Sequence, residues 1–177
     1  MELRYKIKEI PDEGLVVSQA IPADLLNDAL EGLEPDLAQC SGGIQLTLMR
    51  AKTDVVVTGR VSAALSLACG ACLKPAAVTV RAPVNALYVE GDEEEETEGD
   101  QEELDAEDVI HYDGVVIDLR PMLREQLILS LPMSVRCKEG CKGLCPVCAG
   151  DRNLKDCGHK IEIEESPFAA LKSLKLE

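Results

Sequence analysis

The residues of this chain best suited to chemistry are its thiols. Four of its eight cysteines fall within "CKEGCKGLCPVC", residues 137–148. Two more form "CGAC" at 69–72, and Cys157 stands two positions before His159. Three fates suit such a set: disulfides, a redox or iron–sulfur centre, or a structural metal. The opening "MELRYKIKEIPDEGLVV" has no apolar core run and no small-residue cleavage site, so no signal peptide is expected. No stretch approaches the length of a membrane span. The expected setting is the cytoplasm, where clustered thiols serve as metal ligands or redox groups rather than disulfides.

A thioredoxin-like redox pair needs its first cysteine at a helix N-terminus, where the dipole lowers the thiol pKa. Cys69 and Cys72 instead join two strand-like runs, and Pro75 follows them. "CGACLKP" is therefore expected at the tip of a β-hairpin, where two intervening residues turn both thiolates to one side as a zinc knuckle. "CPVCAG" at 145–150 repeats the form. Cys141, Cys145 and Cys148 have the C-x3-C-x2-C spacing of radical enzymes that use S-adenosylmethionine, but only 29 residues follow Cys148 and no βαβ alternation precedes it. Zinc is the expected metal. The candidate ligands are Cys69, Cys72, Cys137, Cys141, Cys145, Cys148, Cys157 and His159, enough for two closed tetrahedral sets. The expected partition joins Cys69, Cys72, Cys137 and Cys141 in one site and the other four in a second. A rival partition pairs the two C-x2-C knuckles across the fold, and a third outcome is a single zinc with spare thiols. Cys40 has no partner spacing and reads as a small buried hydrophobe; His111, alternating within a strand, reads as structural. No serine elbow, phosphate-cradling loop or nucleophile–histidine pair is present, so no catalysis and no small-molecule substrate are expected.

These ligands need elements to hold them, and the hydrophobic pattern supplies an α+β plan. "ELRYKIKEI" alternates as a half-buried strand, and "IPADLLNDALEG" reads as a short helix. Residues 43–50, 54–68 and 76–90 alternate apolar with polar or small side chains, as antiparallel strands with one wet face do. Gly59 suggests a bulge or a turn. "DVIHYDGVVIDL" is expected to resume the sheet as a hairpin turning at Asp113-Gly114. A helix over 119–131, capped by Asp118, buries Leu119, Met122, Leu123, Leu127 and Leu131. "SPFAALKSL" reads as a closing helix. Three parts result: a β-rich 1–90 with the C-x2-C hairpin, an acidic disordered loop at 91–108, and 109–177 packed on the same core.

The net charge of −15 is unevenly spread. Residues 91–108 hold twelve of the 33 acidic residues and no base. Around the cysteines the sign reverses, with Arg136, Lys138, Lys142, Arg152, Lys155 and Lys160 against Glu139, Asp151 and Asp156. Those six cations are the candidate contacts for an anionic partner. With three tyrosines, one phenylalanine and no tryptophan, the chain favours phosphate-directed binding over base stacking on aromatics.

"CGACLKP", "GVVIDLRPMLREQLILSLPMSVRC", "CKGLCPVCAGDRNLKDCGH" and "PFAALKSLK", in that order, resemble the YceD family, the large ribosomal RNA subunit accumulation proteins of bacteria and plastids. The resemblance spans roughly residues 40 to 177. Where cysteine-rich members end this segment in C-x-C, the chain has Cys157-Gly-His159, and histidine can replace a thiolate on zinc. The resemblance implies a non-enzymatic factor needed for 23S rRNA accumulation, in processing or assembly of the large ribosomal subunit. Its partners would be ribosomal RNA or pre-ribosomal components, with Arg136, Lys138, Lys142, Arg152, Lys155 and Lys160 as the candidate RNA contacts. The alternative is an adaptor whose acidic loop recruits a basic ribosomal or maturation protein.

Overall fold

The structure, a computed structural model, describes residues 3–33, 35–91 and 109–159. Its frame is a five-stranded sheet in the order β2-β3-β4-β5-β6, formed by Leu15–Ala20, Ser41–Ala51, Asp54–Ala68, Pro75–Glu90 and Val109–Tyr112. A second, two-stranded sheet pairs β1 (Arg4–Lys6) with β7 (Val116–Asp118). The strand after Lys6 is cut short by a 3-10 turn at Ile7–Glu9. Two helices, α1 (Ala23–Ala29) and α2 (Arg120–Leu129), complete an α+β fold.

The period-two pattern places one face of the long strands in the core. Ile44, Leu46 and Leu48 on β3, Val55, Val57 and Val61 on β4, and Val84 and Tyr88 on β5 are buried, while their neighbours face solvent. Against this face pack Leu25 and Leu26 of α1 and Leu119, Met122, Leu123 and Leu127 of the α2 region. The helix starts one residue later than expected, with Leu119 and not Asp118 at its N-cap. Asp118 Oδ1 still accepts the Arg120 backbone N–H at 2.9 Å, and Leu131 is half-buried against the same core. Ion pairs Arg120–Asp24 and Arg124–Asp28 fasten the two helices.

Three sequence expectations are corrected. The turn at Asp113-Gly114 does not close a hairpin. A two-residue type I′ loop needs positive φ at both central residues, and only Gly114 (φ +74°) has it. Asp113 Oδ1 instead accepts the N–H groups of Val115 and Val116, each at 2.9 Å, so the chain turns away to pair with β1. The preceding strand, β6, runs parallel to β5, an exception to the expected antiparallel sheet. Parallel pairing needs a crossover of about a dozen residues or more, and residues 91–108 supply that length.

Gly59 is neither a bulge nor a turn. It holds unbroken register with Leu46 and Val84 at φ +149°, and a Cβ there would stand 2.1 Å from the Gln45 carbonyl oxygen. The requirement for glycine is close approach of β3 to β4. The acidic loop beyond Gly91, the closing helix at 166–174 and Lys160 lie outside the described residues.

Candidate metal centres

The β4–β5 hairpin ends in the first knuckle. The Cys69 N–H donates to the Lys74 carbonyl and the Leu73 N–H to the Cys69 carbonyl, both at 2.9 Å, with Leu73 at φ +61°. The second knuckle repeats this arrangement. The Cys145 N–H donates to the Gly150 carbonyl and the Ala149 N–H to the Cys145 carbonyl, both at 2.8 Å, with Ala149 at φ +53°. In each, the two-residue spacing curls the backbone so that amides face the first sulfur. The N–H groups of Ala71, Cys72 and Cys137 hold the Cys69 thiol down at about 6. Those of Cys148 and Val147 hold Cys145 down at about 6.

Chain after α2 is brought onto the hairpin tip by backbone bonds. Gly70 N–H donates to the Val135 carbonyl and Leu144 N–H to the Ala71 carbonyl, each at 2.9 Å. Gly143, at φ +69°, lies so close that a Cβ would come within 2.9 Å of the Ala71 oxygen. These contacts set Cys137 and Cys141 beside Cys69 and Cys72. Sγ of Cys69 lies 4.0 Å from that of Cys141, and Sγ of Cys72 lies 3.5 Å from that of Cys137. All four sulfurs lie within 4.8 Å of one another.

The remaining candidates form a second group on the same length scale: Cys145, Cys148, Cys157 and His159, with Cys145 Sγ 3.7 Å from His159 Nδ1. Gly158, at φ +70°, donates its N–H to Asp156 Oδ1 at 3.0 Å, shaping the Cys157–His159 turn. Burial differs between the groups. Cys69 and Cys72 are buried at the sheet end, whereas Cys148 and His159 are exposed. The grouping is the partition expected from sequence, and the rival that joins the two knuckles does not form.

The donor chemistry fits zinc. All eight cysteines are free thiols. A tetrahedral zinc with bonds of about 2.3 Å spaces its sulfurs about 3.8 Å apart, near the separations in the first group. Four neighbouring thiols without a cation cannot all ionise. Cys137, against Cys72 and partly buried, is pushed up to about 12, while the Gly143 amide and Asn153 side chain lower Cys141. A divalent cation removes that conflict by stabilising every thiolate at once. A set of four thiolates, or of three thiolates and an imidazole, is closed and electron-donating, the pattern of structural sites.

Sequence reasoning missed the polar strap between the two groups. Lys74, two residues past the first knuckle, meets Asp151, three residues past the second, at 2.6 Å. Asp151 Oδ1 accepts from the Asn153 backbone and side chain, both at 2.8 Å. Asn153 Nδ2 in turn donates to Cys141 Sγ at 3.4 Å, and its Oδ1 accepts the Lys142 N–H at 3.0 Å. Lys74 holds the Asp151 carboxyl down at about 2, with Asn153 assisting. No local signal marked it, since the flanks Leu73-Lys74 and Ala149-Gly150-Asp151 share no residue. Of the other two singled-out residues, Cys40 is half-buried, with Sγ accepting the Ser66 N–H at 3.4 Å. His111 lies on β6 with a buried Nδ1 lacking a partner among the described residues.

Arg136, Lys138, Lys142, Arg152 and Lys155 are all exposed around the two groups. No helix among the described residues is long and apolar enough to cross a membrane. Uncharacterized proteins of Mycobacterium bovis and Mycobacterium tuberculosis are 32% identical over 119 residues, 66% of this chain and 54% of theirs. The chain thus spans about half the length of the curated relatives it matches. No solved structure matches it significantly. The family model described as "Large ribosomal RNA subunit accumulation protein YceD" matches residues 57–175, which take in β5, β7, α2 and every candidate ligand. The chain belongs to the YceD family.

Proposed function

We propose that this protein is a zinc-binding, non-enzymatic factor needed for 23S rRNA to accumulate, acting in the cytoplasm by binding RNA of the large ribosomal subunit or its precursors. Zinc, two ions, orders residues 133–159 into a module that presents cations to phosphate. One observation carries the reading. In the body of the fold Arg4, Lys6, Arg50, Arg120 and Arg124 each meet a carboxylate, while Lys8, Lys52, Arg60 and Arg81 meet none among the described residues. On the module Arg136, Lys138, Lys142, Arg152 and Lys155 meet none among the described residues. Unpaired exposed cations on a rigid support suit a polyanion, because binding releases the counterions condensed on phosphate. Closed thiolate sets favour binding over catalysis, and the approach of Cys145 to His159 lies inside one of those candidate ligand groups.

The test is the salt dependence of binding to a single-stranded RNA probe. Replacing Lys138, Lys142, Arg152 and Lys155 by Gln should weaken binding and reduce the slope by about 0.7 for each phosphate no longer neutralised. An unchanged slope would favour the adaptor reading. That second reading has its own observation, the twelve acids without a base at 91–108. Replacing the twelve acids of 92–108 by Asn and Gln separates the two while keeping the length of the β5–β6 crossover. The RNA reading expects tighter RNA binding at low salt, with the gain fading as screening sets in within about 10 Å at 0.1 M. The adaptor reading expects loss of a basic protein partner.

A further inference from the structure

The wet face of the main sheet carries a charge pattern that the metal module does not explain. In a chain with 33 acidic residues, strands β2 to β5 contain only Asp54 and Glu90. Both stand at the end of the sheet remote from the hairpin tip, beside the register pair Val55 and Tyr88. Arg60 and Arg81 project from the middle of this face, exposed and without a carboxylate partner among the described residues. Lys8 and Lys52, likewise without one, stand apart in a 3-10 turn and at the β3–β4 turn.

The two arginines border a depression of about 630 Å³. Its lining is small because the register places Ala20, Gly43 and Ser62 in one row that ends at Arg81. In the adjoining row, Arg60 donates from Nε (2.8 Å) and Nη2 (2.5 Å) to Gln45 Oε1, which fixes its guanidinium over the sheet. Gly42 leaves no room for a side chain, since a Cβ would lie 2.5 Å from Ile21 Cδ1. At Gly43 the space is open, the nearest atom to a Cβ being the Gln19 oxygen at 3.6 Å. Arg81 lies six residues along β5 from Pro75 at the hairpin tip, about 20 Å at roughly 3.4 Å per residue. A few nucleotides of extended strand cover that distance.

We propose that this face is a second RNA-contact surface, where phosphates of a single-stranded segment settle in the depression between Arg60 and Arg81. The inference rests on the RNA-binding reading and adds a site remote from the zinc ligands. The occupant follows from charge complementarity. A surface whose strand carboxylates stand only at its remote end, with a fixed guanidinium and a flanking one, suits phosphodiester groups, which accept bidentate arginine bonds. The lack of aromatics on the face matches backbone tracking rather than base readout.

The experiment titrates the zinc-loaded full chain with a labelled oligouridine probe across a salt series, each variant first matched to the parent in zinc content and melting. Replacing Arg60 and Arg81 by Gln should lower the salt slope by about 1.4, from two single-strand phosphates no longer neutralised. Replacing both by Lys should restore the slope, because point charges suffice for counterion release. Gly43→Val should weaken binding severalfold with both guanidinium groups intact, by filling the depression. Parent-like binding by R60Q/R81Q and by G43V, alongside weakened binding in the Lys138/Lys142/Arg152/Lys155 variant, would overturn this inference and leave the module reading standing. The reverse pattern would support the sheet face and remove the module. A parent that binds a protein partner but no RNA would overturn both.

Discussion

At the level of single residues, the same backbone device is built twice, at Cys69-Cys72 and at Cys145-Cys148. Spacing alone exposed the ligands, because two intervening residues leave few ways to aim two sulfurs together. Native mass spectrometry of protein from zinc-supplemented growth should therefore find two zinc ions. Cys148→Ser should remove one of them and leave Cys69 protected from alkylation. A reactive Cys69 in that variant would contradict the partition. Lys74, Asp151 and Asn153 were illegible, because their roles depend on contacts between segments far apart in the chain. Gly59 was visible as unusual, yet its reason lies in the neighbouring strand. Gly59→Ala combines a disfavoured φ of +149° with a Cβ 2.1 Å from the Gln45 oxygen. The expected destabilisation is roughly 2–6 kcal/mol in urea unfolding, from strain and overpacking together.

At the level of elements, the long strands β3, β4 and β5 were readable nearly to their ends, since a single buried face imposes strict alternation. β6 and β7 were readable as strands but not in their pairing. Local sequence cannot tell that Val116–Asp118 meets Arg4–Lys6 at the far end of the chain. The metal module differs in kind from the sheet. Its apolar cluster is small, centred on Cys69, Cys72 and Ala76 with only a few half-buried neighbours. On the zinc-binding reading proposed above, metal supplies its order: structural zinc contributes roughly 10–16 kcal/mol of apparent binding energy in peptides, comparable to the stability of a whole domain. Chelation should make amides across 137–159 exchange rapidly while β3, β4 and β5 stay protected. Slow exchange in the module after complete metal removal would contradict that division.

For the whole molecule, the decisive property is the segregation of charge on an acidic protein. Acids concentrate at 91–108, and the fold's body pairs Arg4, Arg50, Arg120 and Arg124 with carboxylates. Among the described residues the cations without such a partner gather on the module and the wet sheet face, with Lys8 and Lys52 apart. Charge sorted this way steers a polyanion to particular surfaces while the remainder repels it. The separate basic and acidic tracts were plain in the sequence; which cations stay unpaired required the fold. The most direct test is crosslinking in cells, followed by sequencing of the attached RNA and identification of the attached proteins. The account predicts 23S rRNA or its precursor among the attached RNAs, with recovery sharply reduced when Lys138, Lys142, Arg152 and Lys155 are replaced by Gln. Crosslinks to protein alone, or ribosomal RNA recovered equally from that variant, would contradict it.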